Sequence, residues 1–95
     1  GNGKRILINM GYTIKWHPKV RKYLRKLHKD ISSRIVRKVK QIQNNPFHYL
    51  EHYEGEKYYK LRIGEYRALI DIEFENKILC VQVVGHRKDI YKNVE

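Results

Sequence analysis

The run Lys60-Leu61-Arg62-Ile63-Gly64-Glu65-Tyr66-Arg67 constrains the fold more tightly than any other stretch of this chain. Two strand-forming segments flank Gly64-Glu65, and glycine at the first central position suits a two-residue type II′ hairpin. Such a turn sets the register: Ile63 opposite Tyr66, Arg62 opposite Arg67, Leu61 opposite Ala68. Side chains alternate along a strand, so Leu61, Ile63, Tyr66 and Ala68 share one face and Lys60, Arg62 and Arg67 the other. Directly opposed arginines repel and weaken a sheet. An anion between them removes that penalty, and the planar guanidinium fork fits phosphate well. The pair reads as a phosphate clamp.

Charge points the same way. The chain has 95 residues, enough for one domain with a single core, and its 21 Lys+Arg against 10 Asp+Glu leave a net charge of +11. An excess of this size implies a polyanionic partner: nucleic acid, a membrane surface or an acidic protein. The single cysteine, Cys80, lies in an apolar run, which excludes a disulfide framework and fits a reducing cytoplasm. It reads as a buried strand residue. No run approaches the ~18 apolar residues that a spanning helix needs. We read Met10 as the natural start, residues 1–9 as a leader or disordered tail, and 10–95 as one domain.

Tyr12-Thr13-Ile14-Lys15-Trp16 alternates as a strand that buries Tyr12, Ile14 and Trp16. Pro18 then suits the first turn of a helix whose apolar stripe is Val20, Tyr23, Leu24 and Leu27. Asp30 is a candidate N-cap for a second helix, striped by Ile31, Ile35, Val39 and Ile42 and stopped at Asn44-Asn45-Pro46. The two helices form an antiparallel hairpin. Periodicity fails over 47–56, which reads as a loop. Strands follow over 57–63, 66–74 and 77–84. The link Glu75-Asn76 would pair Ile72 with Leu79, Ile70 with Val81 and Ala68 with Val83. Both turns give the same apolar face. The expected fold is α+β: a small antiparallel sheet in β-α-α-β-β-β order, the helix hairpin on one face and Lys60, Arg62, Arg67, Leu69, Asp71 and Gln82 on the other.

Three patterns could carry chemistry. Val84 would lie beside Arg67, and Gly85 permits a sharp exit that brings His86, Arg87 and Tyr91 to the clamp. Three cations around one phosphate would stabilise a developing phosphorane charge, while His86 or Tyr91 exchanges protons. Phosphate binding without catalysis, or Tyr91 stacking on an unpaired base, reads equally well. Secondly, positions 15–40 hold eleven Lys/Arg and one acid, Asp30. Lys15, Lys19, Arg21, Lys22, Arg25, Lys26, Arg34, Arg37 and Lys38 would track an RNA or DNA backbone. Interleaved glutamates, which would make this an ordinary solvated face, are missing. Thirdly, His48-Tyr49-Leu50-Glu51-His52 matches an inverted zinc-protease spacing. Pro46 and Gly55 leave too little helix to align the histidines, so these read as loop residues and no metal or other cofactor is expected. His17 and His28, at helix ends, read as structural or solvent-facing.

Tyr59-Lys60-Leu61-Arg62-Ile63-Gly64-Glu65-Tyr66-Arg67 followed by Val84-Gly85-His86-Arg87-Lys88-Asp89-Ile90-Tyr91 resembles the RelE/ParE toxin superfamily, most closely its RelE-type mRNA interferases. The resemblance implies a toxin of a type II toxin–antitoxin pair that cuts mRNA in the ribosomal decoding site, using the RNA's own 2′-hydroxyl and no metal. It implies two partners: the ribosome with its mRNA, and an acidic RelB-like antitoxin. By position, Arg67 and Arg87 match phosphate-stabilising arginines, Lys60 a lysine acting as base or charge stabiliser, and Tyr91 a tyrosine that orients RNA. Arg62 has a basic counterpart. Tyr58 replaces a second lysine, the Arg87–Tyr91 spacing is short, and His86, known from other branches, would then take over proton transfer. The alternatives are a ParE-like inhibitor of gyrase and an inactive RNA-binding relative.

Overall fold

The computed structural model describes residues 11–90. Strand β1 (Thr13–Trp16) leads into α1 (Pro18–Lys26) and α2 (Lys29–Gln41), then two single-turn 3-10 helices, Ile42–Asn44 and Pro46–His48. Strands β2 (Glu51–His52), β3 (Tyr59–Ile63), β4 (Tyr66–Glu73) and β5 (Ile78–His86) follow among the described residues. The sheet order is β1-β5-β4-β3-β2. β1 runs parallel to β5 and the other pairs are antiparallel, so the sheet is mixed and not wholly antiparallel. The helix hairpin between β1 and the later strands acts as the crossover that parallel pairing requires.

Histidines cap both helices. His17 Nδ1 accepts from the Lys19 amide at 3.0 Å, and His28 Nδ1 accepts from the Asp30 amide at 3.2 Å. Asp30 is thus not the N-cap; it sits inside the first turn of α2, where its charge complements the helix dipole. Ser32 Oγ donates to the Leu24 carbonyl at 2.5 Å and ties the two helices together. At the far end, Gln43 Nε2 donates to the Tyr12 carbonyl at 2.8 Å, joining the exit of α2 to β1.

Val20, Ile35, Val39 and Ile42 pack onto Leu61, Ile63, Ala68, Ile70, Ile72, Leu79, Val81 and Val84 as one buried cluster, with Tyr12, Ile14 and Trp16 at its margin. The expected stripes and sheet face therefore meet as read. One register fails. Ile72↔Leu79 and Ile70↔Val81 hold, but a bulge between Leu69 and Ile70 shifts the next pairs to Leu69↔Val83, Ala68↔Val84 and Arg67↔Gly85. The extra residue on β5 moves Val84 into the core in place of Val83. Gly85 therefore lies within β5 and is no chain exit.

The opposite face is not all polar. Leu69 and Ile90 are fully buried yet lie outside the main cluster. The chain folds back over Gly85, where a Cβ would lie in ordinary contact, 3.6 Å from Ile90 Cα. Ile90, at the end of the described residues, thus lies over β5 at Gly85, on the face away from the helices. Within 47–56, β2 pairs Glu51 with Lys60 and His52 with Tyr59, adding a strand where a loop was expected. His48 ends a 3-10 turn and His52 lies on a strand, so the zinc-protease spacing has no helix to ride on. Cys80 is only half-buried, and desolvation, reinforced by Asp71, pushes its thiol pKa up.

Candidate functional site

The β3–β4 turn forms as expected. Gly64 has φ +59°, Glu65 follows without a positive φ, and Arg62 pairs directly with Arg67. Lys60, two positions along, shares their face. The two guanidinium groups make different contacts. Arg67 Nη1 donates to the Gly64 carbonyl at 2.7 Å and the Tyr66 carbonyl at 2.8 Å, curling over the turn. Arg62 is exposed and lines a groove at the sheet edge with Arg34, Arg37 and Lys38 of α2.

The chain beyond β5 meets this same tip. The Arg87 amide donates to the Glu65 carbonyl at 2.7 Å, and Arg87 Nε donates to Glu65 Oε1 at 2.8 Å. His86 Nε2 lies 3.9 Å from the same carboxylate oxygen, and the His86 ring stands edge-on to Tyr66 with centroids 5.5 Å apart. The hydrogen bond and charge of Arg87 hold the Glu65 carboxyl below the usual carboxylate range, with smaller help from His86 and Arg67. Glu65 therefore gathers Arg67, His86 and Arg87 around the tip. Register places His86 on the helix side of the sheet, opposite Tyr66, and Arg67 on the other side, opposite Gly85. The site wraps the tip instead of lying on one concave face. Tyr91 falls outside the described residues, as do residues 1–9.

In the sequence Glu65 is only the second residue of a two-residue turn, and its role at the site rests on contacts 22 positions away. An acid amid Lys60, Arg62, Arg67, Arg87 and Lys88 was the available signal. At neutral pH the tip still presents more guanidinium charge than carboxylate, and the pair is exposed, with 49% and 64% of the side-chain surfaces open. A phosphate can compete for it. Behind His86, a cleft of about 420 Å³ opens between α1 and β5, lined by Lys19, Tyr23, Gln82 and Asp89 over Val20 and Val84. Burial, then the nearby Tyr66 and Asp89, pushes the Tyr23 pKa up.

Of the basic residues expected to follow a backbone, Lys19, Arg21, Lys22, Arg25, Lys26, Arg34 and Arg37 are exposed on the helices, and Lys38 is half-buried. Lys15 stands apart from them. It sits on β1 paired with Cys80, on the face turned away from the helices. No helix among the described residues is long and apolar enough to cross a membrane.

The profile described as ParE toxin of type II toxin-antitoxin system, parDE, matches residues 14–91. No curated protein matches the chain significantly. Solved structures share the fold. A RelBE toxin–antitoxin complex from Mycobacterium tuberculosis aligns with TM-score 0.73 and 25% identity, over 81% of this chain and 99% of that one. The archaeal RelE–RelB complex of Pyrococcus horikoshii gives 0.69 and 23%, over 80% and 94% of the two chains. A variant of Escherichia coli RelE in its free state gives 0.66 and 20%, over 90% and 100%. The strand–helix-pair–sheet architecture, the arginine-bearing hairpin and the profile match together assign the chain to the ParE toxin family, as a toxin of type II toxin–antitoxin systems within the RelE/ParE superfamily.

Proposed function

We propose that this toxin is an endoribonuclease that cuts mRNA in the ribosomal decoding site. The observation that carries the reading is the convergence of Arg67, His86 and Arg87 at one hairpin tip. Strand scission of RNA needs little from a protein. The 2′-hydroxyl attacks the adjacent phosphorus, the 5′-oxygen leaves, and a 2′,3′-cyclic phosphate remains. Arg67 and Arg87 supply positive charge where the phosphorane becomes more negative, a role worth about 10²–10³ in rate per donor. His86, with Tyr91 or Lys60, supplies the proton exchange at the attacking and leaving oxygens. The basic face of α1 holds ribosomal RNA by its phosphates. A small acidic antitoxin covers the cationic tip and helices in the resting cell.

A second reading has its own support: the matching profile is that of ParE. A ParE-like inhibitor of gyrase would keep the fold and make little use of the tip. Induced expression with primer extension on cellular mRNA separates the two. Discrete cuts within codons that vanish in Arg67→Ala and Arg87→Ala, together with growth arrest, are the expected result. Full toxicity of both variants at wild-type expression levels would overturn the nuclease assignment.

A further inference from the structure

Whereas Glu65 offsets charge at the tip, the groove beside it has no such counterweight. Arg34, Arg37, Lys38 and Gln41 lie on one stripe of α2, spaced three and four residues apart, and face Arg62, Ile63 and Gly64 of the hairpin. The groove encloses about 260 Å³ and contains four cations and no carboxylate. The side chains of Arg34, Arg37 and Arg62 make no hydrogen bond or ion pair among the described residues. Lys38 rests over the Tyr49 ring at 4.8 Å, and Gln41 Nε2 reaches the Tyr49 hydroxyl at 3.5 Å. Like charges three and four residues apart on α2 (Arg34 with Arg37 and with Lys38), joined by Arg62 from the sheet, destabilise the folded chain. An anion in the groove reverses that penalty.

Gly64 joins this groove to the tip. Its carbonyl accepts from Arg67 Nη1 at 2.7 Å, and a Cβ on its other side would lie 3.6 Å from Arg34 Nη1. The two guanidinium groups thus flank one glycine that carries no side chain to obstruct a strand.

We infer that the groove formed by Arg34, Arg37, Lys38 and Arg62 is a second phosphate subsite, which binds the phosphate adjacent to the one held by Arg67 and Arg87. Single-stranded RNA crosses the hairpin tip over Gly64, with consecutive phosphates on either side. Arg62 then acts in substrate positioning and not in the bond-breaking step. The inference rests on reading the tip as the cleavage site, and its test separates the two ideas.

Fluorescence anisotropy with non-cleavable 2′-O-methyl oligonucleotides of two, three and four nucleotides provides that test. The wild-type affinity should rise about two- to five-fold when the second internal phosphate is added. Arg62→Ala and the double variant Arg34→Ala/Arg37→Ala should lose that step and flatten the salt dependence by about 0.7 in log–log slope. Arg87→Ala should bind all lengths more weakly yet keep the step. A step that survives in both groove variants overturns the second subsite. Unchanged binding of every length by Arg87→Ala, with the step still dependent on the groove, would overturn the tip assignment and leave the groove standing.

Discussion

Alanine at Gly64 and alanine at Gly85 should change stability in opposite directions, although both replace a glycine in the same hairpin system. At Gly64 the backbone is left-handed, φ +59°, and the nearest group to an added Cβ is Arg34 Nη1 at 3.6 Å, an ordinary contact. The cost is conformational and not steric. Holding an L-residue there costs about 1–2 kcal/mol, with the unfolded-chain entropy gained from alanine returning part of it. At Gly85 φ is not positive and an added Cβ would meet Ile90 atoms at 3.6–3.8 Å. It fills space against a buried side chain, so Gly85→Ala should be neutral or stabilise by up to about 1 kcal/mol. For a domain of this size each kcal/mol shifts Tm by about 4–8 °C. Urea and thermal unfolding of both variants measure the gap, and Gly55→Ala is a control with φ +82° and nothing within 4 Å of the new Cβ. Equal stability of wild type and Gly64→Ala, or a loss above about 1 kcal/mol in Gly85→Ala, would refute the turn geometry or the packing of Ile90 over β5.

Three further outcomes can be measured. Ile90→Ala removes a fully buried side chain from the covering segment and should cost about 2–4 kcal/mol, read from the urea midpoint at constant m-value. His17→Ala and His28→Ala each delete a side-chain cap and should cost about 0.5–2 kcal/mol, with asparagine at either position restoring most of it. Because the folded-state pKa of Glu65 is lowered, its pairing with Arg87 should be complete above the ordinary carboxylate range and lost as pH falls through the lowered value. Carboxyl NMR titration of wild type and Arg87→Ala should show the Glu65 midpoint moving up in the variant.

Much of the fold was readable because local signals agreed with one another. The Gly64-Glu65 turn, the alternation of Leu61, Ile63, Ala68, Ile70 and Ile72, and the stripes through Val20 and Ile35 each selected the same buried face. Where a competing local choice existed, the sequence misled. Asp30 is a good cap by composition, but His28 stands one residue before the helix and takes the role. The bulge between Leu69 and Ile70 leaves no mark in a two-residue period, since a one-residue shift alters facing without altering composition. Strand β2 is two residues long and owes its existence to the edge of β3.

The candidate site divides in the same way. The identities of the cations, their alternation in the hairpin and their excess over acids followed from the linear chain alone. Their grouping did not. Arg87 reaches Glu65, 22 positions away, only because the bulged β5 delivers it to the tip. Arg62 meets Arg34 and Arg37 because α2 lies along the edge of β3, a relation no local pattern encodes. Local propensity and periodicity fix what each segment can become, since they depend on near neighbours. Which charges share a surface depends on packing distant segments together, and that is settled only when the core closes.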